Sequence, residues 1–520
     1  MKMPWIELSN EQKGGILMKS KRLIAALFAL LIAFSAAGCA DTGTGSDETT
    51  VAPDALTTAV QETTEPSREN YPDGIPDSLR FDGETFRVLY YDKNNYRDDF
   101  VANGVTGDIV ADAVYYRNLN VMERFGTELE LIAAPASDTK SYCSYVETQV
   151  TSGEYAWDLI SAYQAYTVPL AMKGILADVS DAEYLDFSSP WWEYGYMKEL
   201  LIGSGDRIYF MQGDIALYML GSMGSVYYNK RLMGEIDGGF DVYSTVSGGK
   251  WTLEKFGELA ALAYSDVNGN GVMDDGDIIG FGATTVKSTE HFMYDAGVRS
   301  NTRTAEGYPS YTFGDERSVD FIAKLYDLYY DNTGARIYDS DSGISQMEKD
   351  FRGGVMLLLP GWLYMAKNIC GDCVDDYGII PYPKYDTDQE NYLTLVHDGT
   401  TIYCIPATCN RLPMVSAITE ALAAESWRKV TPCYFDVALK NRYATDLHSA
   451  EMIDIIRAGI TTDYFYANNY SFSGSPGLLC RTAMKNKLSS IPSQIKAARI
   501  SADRALKELI GDYETLISGQ

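Results

Sequence analysis

Apolar positions in the first third of the chain follow a repeating rhythm. Phe86–Tyr91 (FRVLYY) is a short apolar run after the Asp82-Gly83 turn and predicts a strand. Ile109, Ala113, Leu119 and Met122 recur at helical spacing, so a helix is expected over 109–125, stopped by Gly126. Glu128–Ile132 predicts a second strand and Tyr142–Val150 a second helix. Trp157–Ser161 (WDLIS) has the apolar character of a buried strand, followed by a loop Tyr163-Gln164-Ala165-Tyr166 and a helix to Gly174. Strand and helix alternating in this way imply a parallel sheet with right-handed crossovers. Ligands of such sheets sit beyond the carboxyl ends of the strands, which points to Tyr91–Asn95 and Tyr163–Tyr166.

The stretch Arg207–Met233 (RIYFMQGDIALYMLGSMGSVYYNKRLM) breaks this rhythm. Two strand-type runs, Arg207–Met211 and Ser225–Asn229, flank Gly213, Asp214, Gly221 and Gly224, as if the chain left one sheet for another. Beyond it, Trp251–Ala263 predicts a helix with Thr252 as N-cap, and Val319–Tyr330 another. Val355–Leu359 is a fully apolar strand ended by Pro360-Gly361-Trp362; Tyr377–Pro381 and Thr401–Ile405 are further strands. From Pro413 the pattern is helical: Val415–Ala424, Ser426–Leu439, Ala450–Ala458 and a last helix from Pro492 to Leu516. There is no internal repeat.

Charge narrows the partners. A formal net charge of -29 over 520 residues argues against nucleic acid and anionic lipid surfaces, both of which need basic patches, and suits a solvated extracellular surface. The N-terminus gives the address. Met18-Lys19-Ser20-Lys21-Arg22 is a basic segment, and Leu23–Phe34 is apolar but too short to span a bilayer. The small residues Ser35–Gly38 then lead to Cys39, as in a bacterial lipobox with Ala36 where Leu is usual. Residues 1–38 are therefore expected to be a lipoprotein signal and Cys39 the lipidated residue, with Met18 the hypothesised true start. Residues 39–70, rich in Thr, Ser, Asp, Glu and Pro, are expected to be a disordered spacer.

One loop carries metal-site spacing. Asp266-Val-Asn268-Gly-Asn270-Gly271-Val272-Met-Asp274-Asp-Gly-Asp277 fits the twelve-residue calcium pattern with Asp in place of the final Glu. Its expected ligands are Asp266, Asn268, Asn270, the Val272 carbonyl, Asp274 and Asp277, around one structural calcium ion. It resembles the calcium loops of dockerin-type modules, here present once. No organic cofactor is expected, because no Walker or dinucleotide fingerprint occurs. Cys370 and Cys373 form a lone CxxC crowded by acids, a loop disulfide or inert thiols. Three scattered His residues and the absence of Gly-x-Ser-x-Gly argue against His-metal and nucleophile-elbow chemistry.

Aromatics are abundant, with 39 Tyr, 18 Phe and 7 Trp. Flat apolar faces suit the C–H faces of sugar rings, and Asp, Asn and Gln suit their hydroxyls. Trp191, Trp192, Tyr163, Tyr166 and Trp362 lie in expected loops or at strand ends.

The ordered patterns WDLISAYQAYTVPLAMKGILADVSD, VYYNKRLM, GKWTLEKFGELA, FRGGVMLLLPGW and DYGIIPYPKYD resemble the extracellular solute-binding proteins of ABC importers, of the maltose-binding-like kind (family 1), over roughly Tyr71–Gly511. The tyrosine-asparagine-lysine followed by WTLEKF is the most telling match. The resemblance implies an α/β, two-lobed periplasmic-binding-protein-like fold (type II) with the ligand cleft between the lobes. It implies lobe 1 from 71–215 and 386–445, and lobe 2 from 216–385 and 446–520. Crossings between them fall near Gly213–Leu220, Pro381–Tyr385 and Lys440–Ser449. Carried over by position, the ligand contacts are Tyr91, Asp92, Asn94, Tyr163, Gln164, Trp191, Asp214 and Trp362. Ala165 and Tyr166 stand where the family has an arginine and an acid, so the ligand differs from the family's best-known one.

Two readings follow. The first is a monomeric, lipid-anchored protein on the extracellular face. It delivers a sugar, expected to be an oligosaccharide, to ABC permease subunits, without enzymatic activity. The alternative is a cell-surface glycan-active hydrolase, or a non-transport glycan-binding or sensor protein.

Overall fold

The computed structural model describes residues 67–518 apart from 204–206, 237–239, 339–341, 370–371, 436–446, 470 and 473. The signal segment, Cys39, all but the last few residues of the spacer, Cys370 and most of the Lys440–Ser449 crossing lie outside these residues.

Strands in chain order are β1 (Thr85–Tyr90), β2 (Glu128–Ala133), β3 (Leu159–Tyr163), β4 (Gly224–Asn229), β5 (Ile279–Thr284), β6 (Asn301–Arg303) and β7 (Pro309–Tyr311). They continue as β8 (Ala335–Tyr338), β9 (Met356–Trp362), β10 (Tyr377–Ile380), β11 (Thr394–Leu395), β12 (Thr401–Cys404) and β13 (Ile460–Thr461). They build a four-stranded sheet of order β12-β3-β1-β2 and a five-stranded sheet of order β10-β4-β9-β5-β8, plus the small pairs β11-β13 and β6-β7. The chain passes from the first sheet to the second between β3 and β4, and returns between β10 and β12.

The first sheet follows the strand–helix alternation. β1 pairs in parallel with β2 and β3, and the Ile109–Phe125 helix ends at Gly126, whose φ of 70° is the left-handed value glycine accepts. Alternation does not extend to the edge, where the late strand β12 is antiparallel to β3. The expected Arg207–Met211 strand is not one. Ile208 gives its amide to Asp178 Oδ1 at 3.0 Å, and only Met211 joins the sheet, through a single bridge to Tyr403.

In the second sheet β9 is central and wholly buried, as its MLLLPGW composition requires. It runs through Trp362 rather than ending at the Pro-Gly pair, which corrects the expected turn there. Proline is tolerated inside this strand because the β5 ladder has already ended at the Phe281–Leu358 pair, leaving only β4 alongside. Gly361 lets Met365 pack closely, since a Cβ there would stand 2.2 Å from Met365 Sδ. The Leu253–Ala263 helix starts on the Thr252 cap, whose hydroxyl accepts from Lys255 N at 3.3 Å. The Lys287–Asp295 helix is unusual: Ser288 through Asp295 are all buried although five of these eight are polar or charged.

Candidate functional site

The site assembles at the carboxyl ends of parallel strands in both sheets, where backbone and side chains face outward from the sheet edge. β1 ends at Tyr90 and delivers Tyr91; β3 ends with Tyr163, and Gln164 opens the next helix. β5 ends at Thr284, three residues before Lys287, and β9 ends with Trp362. Aromatic rings gather in two groups. Tyr96 lies 5.5 Å from Tyr91, 6.2 Å from Tyr163 and 5.2 Å edge-on from Tyr218. Trp362 stacks on Tyr364 at 5.6 Å and 7°, and meets the edge of His397 at 5.6 Å. The 397–399 segment joins the two halves: Tyr96 donates its hydroxyl to the Gly399 carbonyl, and a Cβ on Gly399 would crowd His397 Nδ1 at 2.9 Å and Tyr163 at 3.5 Å.

A polar cluster lies behind Trp362. Lys287 Nζ sits 5.5 Å from the Trp362 ring centroid. One turn on, Glu290 is 2% exposed and pairs with Arg481. His397 accepts from the Gly399 amide at Nδ1, leaving its other nitrogen to carry the proton, and burial pushes its pKa down to about 4, so the ring is neutral. Asp398 accepts from Asn469 at 2.6 Å, and its amide donates to Tyr466 Oη at 3.0 Å. Burial pushes Glu290 up to about 7, against the pull of Arg481. Several buried polar atoms here make no hydrogen bond: Trp362 Nε1, Glu290 Oε1, Arg481 Nε and Gln164 Nε2. Buried donors and acceptors are normally paired, so these atoms are open to water or to another molecule.

The residues expected from sequence fall into three groups. Tyr163, Gln164 and Trp362 belong to the aromatic groups and the cluster; Gln164 is fully buried, opens a helix rather than a loop, and accepts from Tyr196 at 2.6 Å. Tyr91 is 5% exposed and packs behind Tyr96, while Asp92 is exposed and pairs with Arg97 at 3.2 Å. Asn94 opens the Asn94–Asp98 helix, and its side chain lies outside the described residues, as does that of Tyr166.

Trp191 and Asp214 stand elsewhere. Trp191 has no exposed surface and, with Trp192, gives its indole N–H to Glu420, at 2.9 and 2.8 Å. Trp191 therefore presents no face for a ring to stack on. Asp214 is 2% exposed and is held by Arg457 and Thr431. Arg457 also lines a separate cavity of about 440 Å³ with Glu193, Asp454, Trp192 and Trp427. Sequence reasoning missed Lys287, Glu290, His397, Asp398 and Arg481. The run of polar residues in Lys287–Asp295, directly after the apolar strand β5, is the signal that was available.

In the 266–277 loop, Asp266 accepts from the amides of Gly269, Asn270 and Gly271, and Asn268 and Asn270 both donate to Asp274, at 2.9 and 2.6 Å. Asp277 accepts from the amides of Val267 and Asp274. Among the described residues no three His, Cys, Asp or Glu side chains gather at metal-ligand spacing.

No family model matches the sequence, and no curated protein does. Solved structures do match in fold. A cyclo/maltodextrin-binding protein complexed with maltotetraose aligns at 12% identity and a TM-score of 0.53, covering 84% of this chain and 98% of that one. A Rhizobium etli sugar transporter in an open conformation aligns at 14% and 0.51, covering 81% and 99%. UgpB of Mycobacterium tuberculosis in complex with glycerophosphocholine aligns at 14% and 0.50, covering 83% and 99%. The fold is thus the two-lobed α/β fold of periplasmic-binding-protein-like molecules.

Proposed function

We propose that this chain is a monomeric extracellular solute-binding protein that captures a carbohydrate between its two lobes and hands it to an ABC permease, without chemical turnover. One observation carries the reading: aromatic rings from the ends of both sheets meet across the 397–399 segment, beside buried polar atoms that lack partners. Rings for stacking and polar groups for hydroxyls are what a saccharide requires. The maltotetraose complex and the sugar transporter of like fold support it. Lobe 1 is taken as 71–215 and 386–445, and lobe 2 as 216–385 and 446–520. A saccharide panel read by thermal shift and calorimetry tests the proposal. A cognate sugar at a hundredfold excess over Kd adds about 2.7 kcal/mol of stability. If no saccharide shifts the melting curve, carbohydrate capture fails.

Two accompanying proposals have their own tests. Diacylation of Cys39 would hold the protein at the outer face of the membrane, so Cys39→Ala should release it into the medium; retention in the membrane fraction would refute the anchor. A calcium ion suits the all-oxygen donor set of the 266–277 loop, with Asp274 exchanging its two asparagine amide donors for the cation. Its role would be to brace the turn between the Leu253–Ala263 helix and β5. Calorimetry that detects no calcium at millimolar levels would refute it.

A further inference from the structure

We infer that the ligand held in this cleft carries an anionic group, a carboxylate or a phosphate, and that Lys287 and Arg481 receive it. The inference deepens the carbohydrate reading and rests on it for the location of the site. Lys287 is half-buried at the carboxyl end of β5, on the first turn of a buried helix. Its ammonium lies over Trp362, and among the described residues it makes no ion pair. A cation withdrawn from bulk water without a counter-charge is unfavourable unless another molecule supplies one.

Arg481 shows the same incompleteness. One terminal nitrogen is satisfied by Glu290, while its buried Nε has no acceptor. Guanidinium groups bind carboxylate and phosphate through adjacent N–H donors, and here one such donor is left over. Of the other unpartnered atoms, Trp362 Nε1 and Gln164 Nε2 are donors too, and Glu290 Oε1 is an acceptor. The nearby carboxylates do not cancel this bias. Asp398 keeps its charge while accepting from Asn469, and Glu290, pushed up to about 7 by burial, gives up part of its own, so the two cations still outweigh the carboxylate charge beside them. The bias is local, since the whole chain is acidic at -29. Lys287 and Arg481 together offer an anion two cationic donors beside Trp362, partly withdrawn from water, where lower dielectric strengthens them.

The test compares ligands matched except for charge. Galacturonate trisaccharide, neutral galactose trisaccharide, a sugar phosphate and glycerol 3-phosphate are titrated by calorimetry into the full chain. The same titrations use Lys287→Met and Lys287→Arg. Lys287 is only half-buried and unpaired, so both variants are expected to fold; unchanged circular dichroism checks this. An acidic saccharide should bind about tenfold or more tighter than its neutral counterpart, a preference that Lys287→Met removes and Lys287→Arg keeps. Binding of glycerol 3-phosphate with the same variant pattern, and of no saccharide, upholds the anion site and overturns carbohydrate capture. Neutral saccharides binding as tightly as acidic ones, or a preference untouched by Lys287→Met, overturns the anion site and leaves carbohydrate capture standing. If no anion binds at millimolar concentration, the inference falls.

Discussion

Asp214 is almost wholly enclosed, and Arg457 Nη2 donates to both of its oxygens, at 2.9 and 2.8 Å, while Thr431 donates to Oδ1 at 2.7 Å. Removing it in Asp214→Ala strands a largely buried guanidinium, at a cost of about 3 kcal/mol. Urea denaturation should show that loss while ligand affinity stays within about twofold, less than 0.5 kcal/mol. A large loss of affinity with unchanged stability would put Asp214 in the ligand shell instead. Sequence showed an acid beside a glycine in a turn; it could not show an arginine 243 positions later. The same distance problem hid the polar cluster. Trp362 and Gln164 were legible because each ends or follows an apolar strand. Lys287, His397 and Arg481 come from three remote segments, and only folding brings them to one cluster.

At the scale of elements, local rules were legible wherever the signal was local. Thr252 caps its helix as its position before an apolar periodic run implies, and Thr252→Ala should lower stability by about 1 kcal/mol in thermal or urea unfolding. No change there would mean that the helix start is held by Lys384, whose carbonyl accepts from Leu253 N, rather than by the cap. The packing of that helix against the sheet was not legible. A Cβ at Gly280 would stand 2.0 Å from the Ala260 carbonyl oxygen, and one at Gly334 would stand 1.9 Å from the same atom. Helix and sheet thus touch backbone to backbone, and Gly280→Ala should destabilise by about 1–3 kcal/mol. Wild-type stability in that variant would show that the helix can slide outward freely. Two elements misread from composition, Arg207–Met211 and the Pro360–Trp362 stretch, share one cause. Apolar runs and Pro-Gly pairs report preference, whereas pairing depends on which neighbour is present and where its ladder stops.

For the molecule as a whole, buried carboxyl groups set the response to pH. Burial pushes Asp99 up to about 6, Glu193 and Glu290 to about 7, and Glu420 to about 8. A carboxyl raised in the folded state binds its proton more tightly there than in the unfolded chain. Its stabilising contribution is full below the unfolded value of about 4, and is lost as pH rises through the folded value. Asp73 and Asp178 act oppositely: hydrogen bonds and their arginine partners hold them below the usual range against the cost of burial, so their contribution disappears in acid. Stability should therefore peak near pH ~5 and fall steadily toward pH ~8. The charge of -29 pushes the same way, because deprotonation adds repulsion. Salt separates the two causes, since surface repulsion is screened within about 8 Å at physiological ionic strength and buried groups are screened much less. Melting temperatures measured from pH 4 to pH 8 at low and high salt should fall above pH ~5 in both, with a shallower slope at high salt. A decline that vanishes at high salt would assign the effect to surface charge alone. A melting temperature that rises toward pH 8 would mean that these carboxyl groups are ionised in the fold. Glu290 would then fully neutralise Arg481, and the cationic bias of the cleft would rest on Lys287 alone.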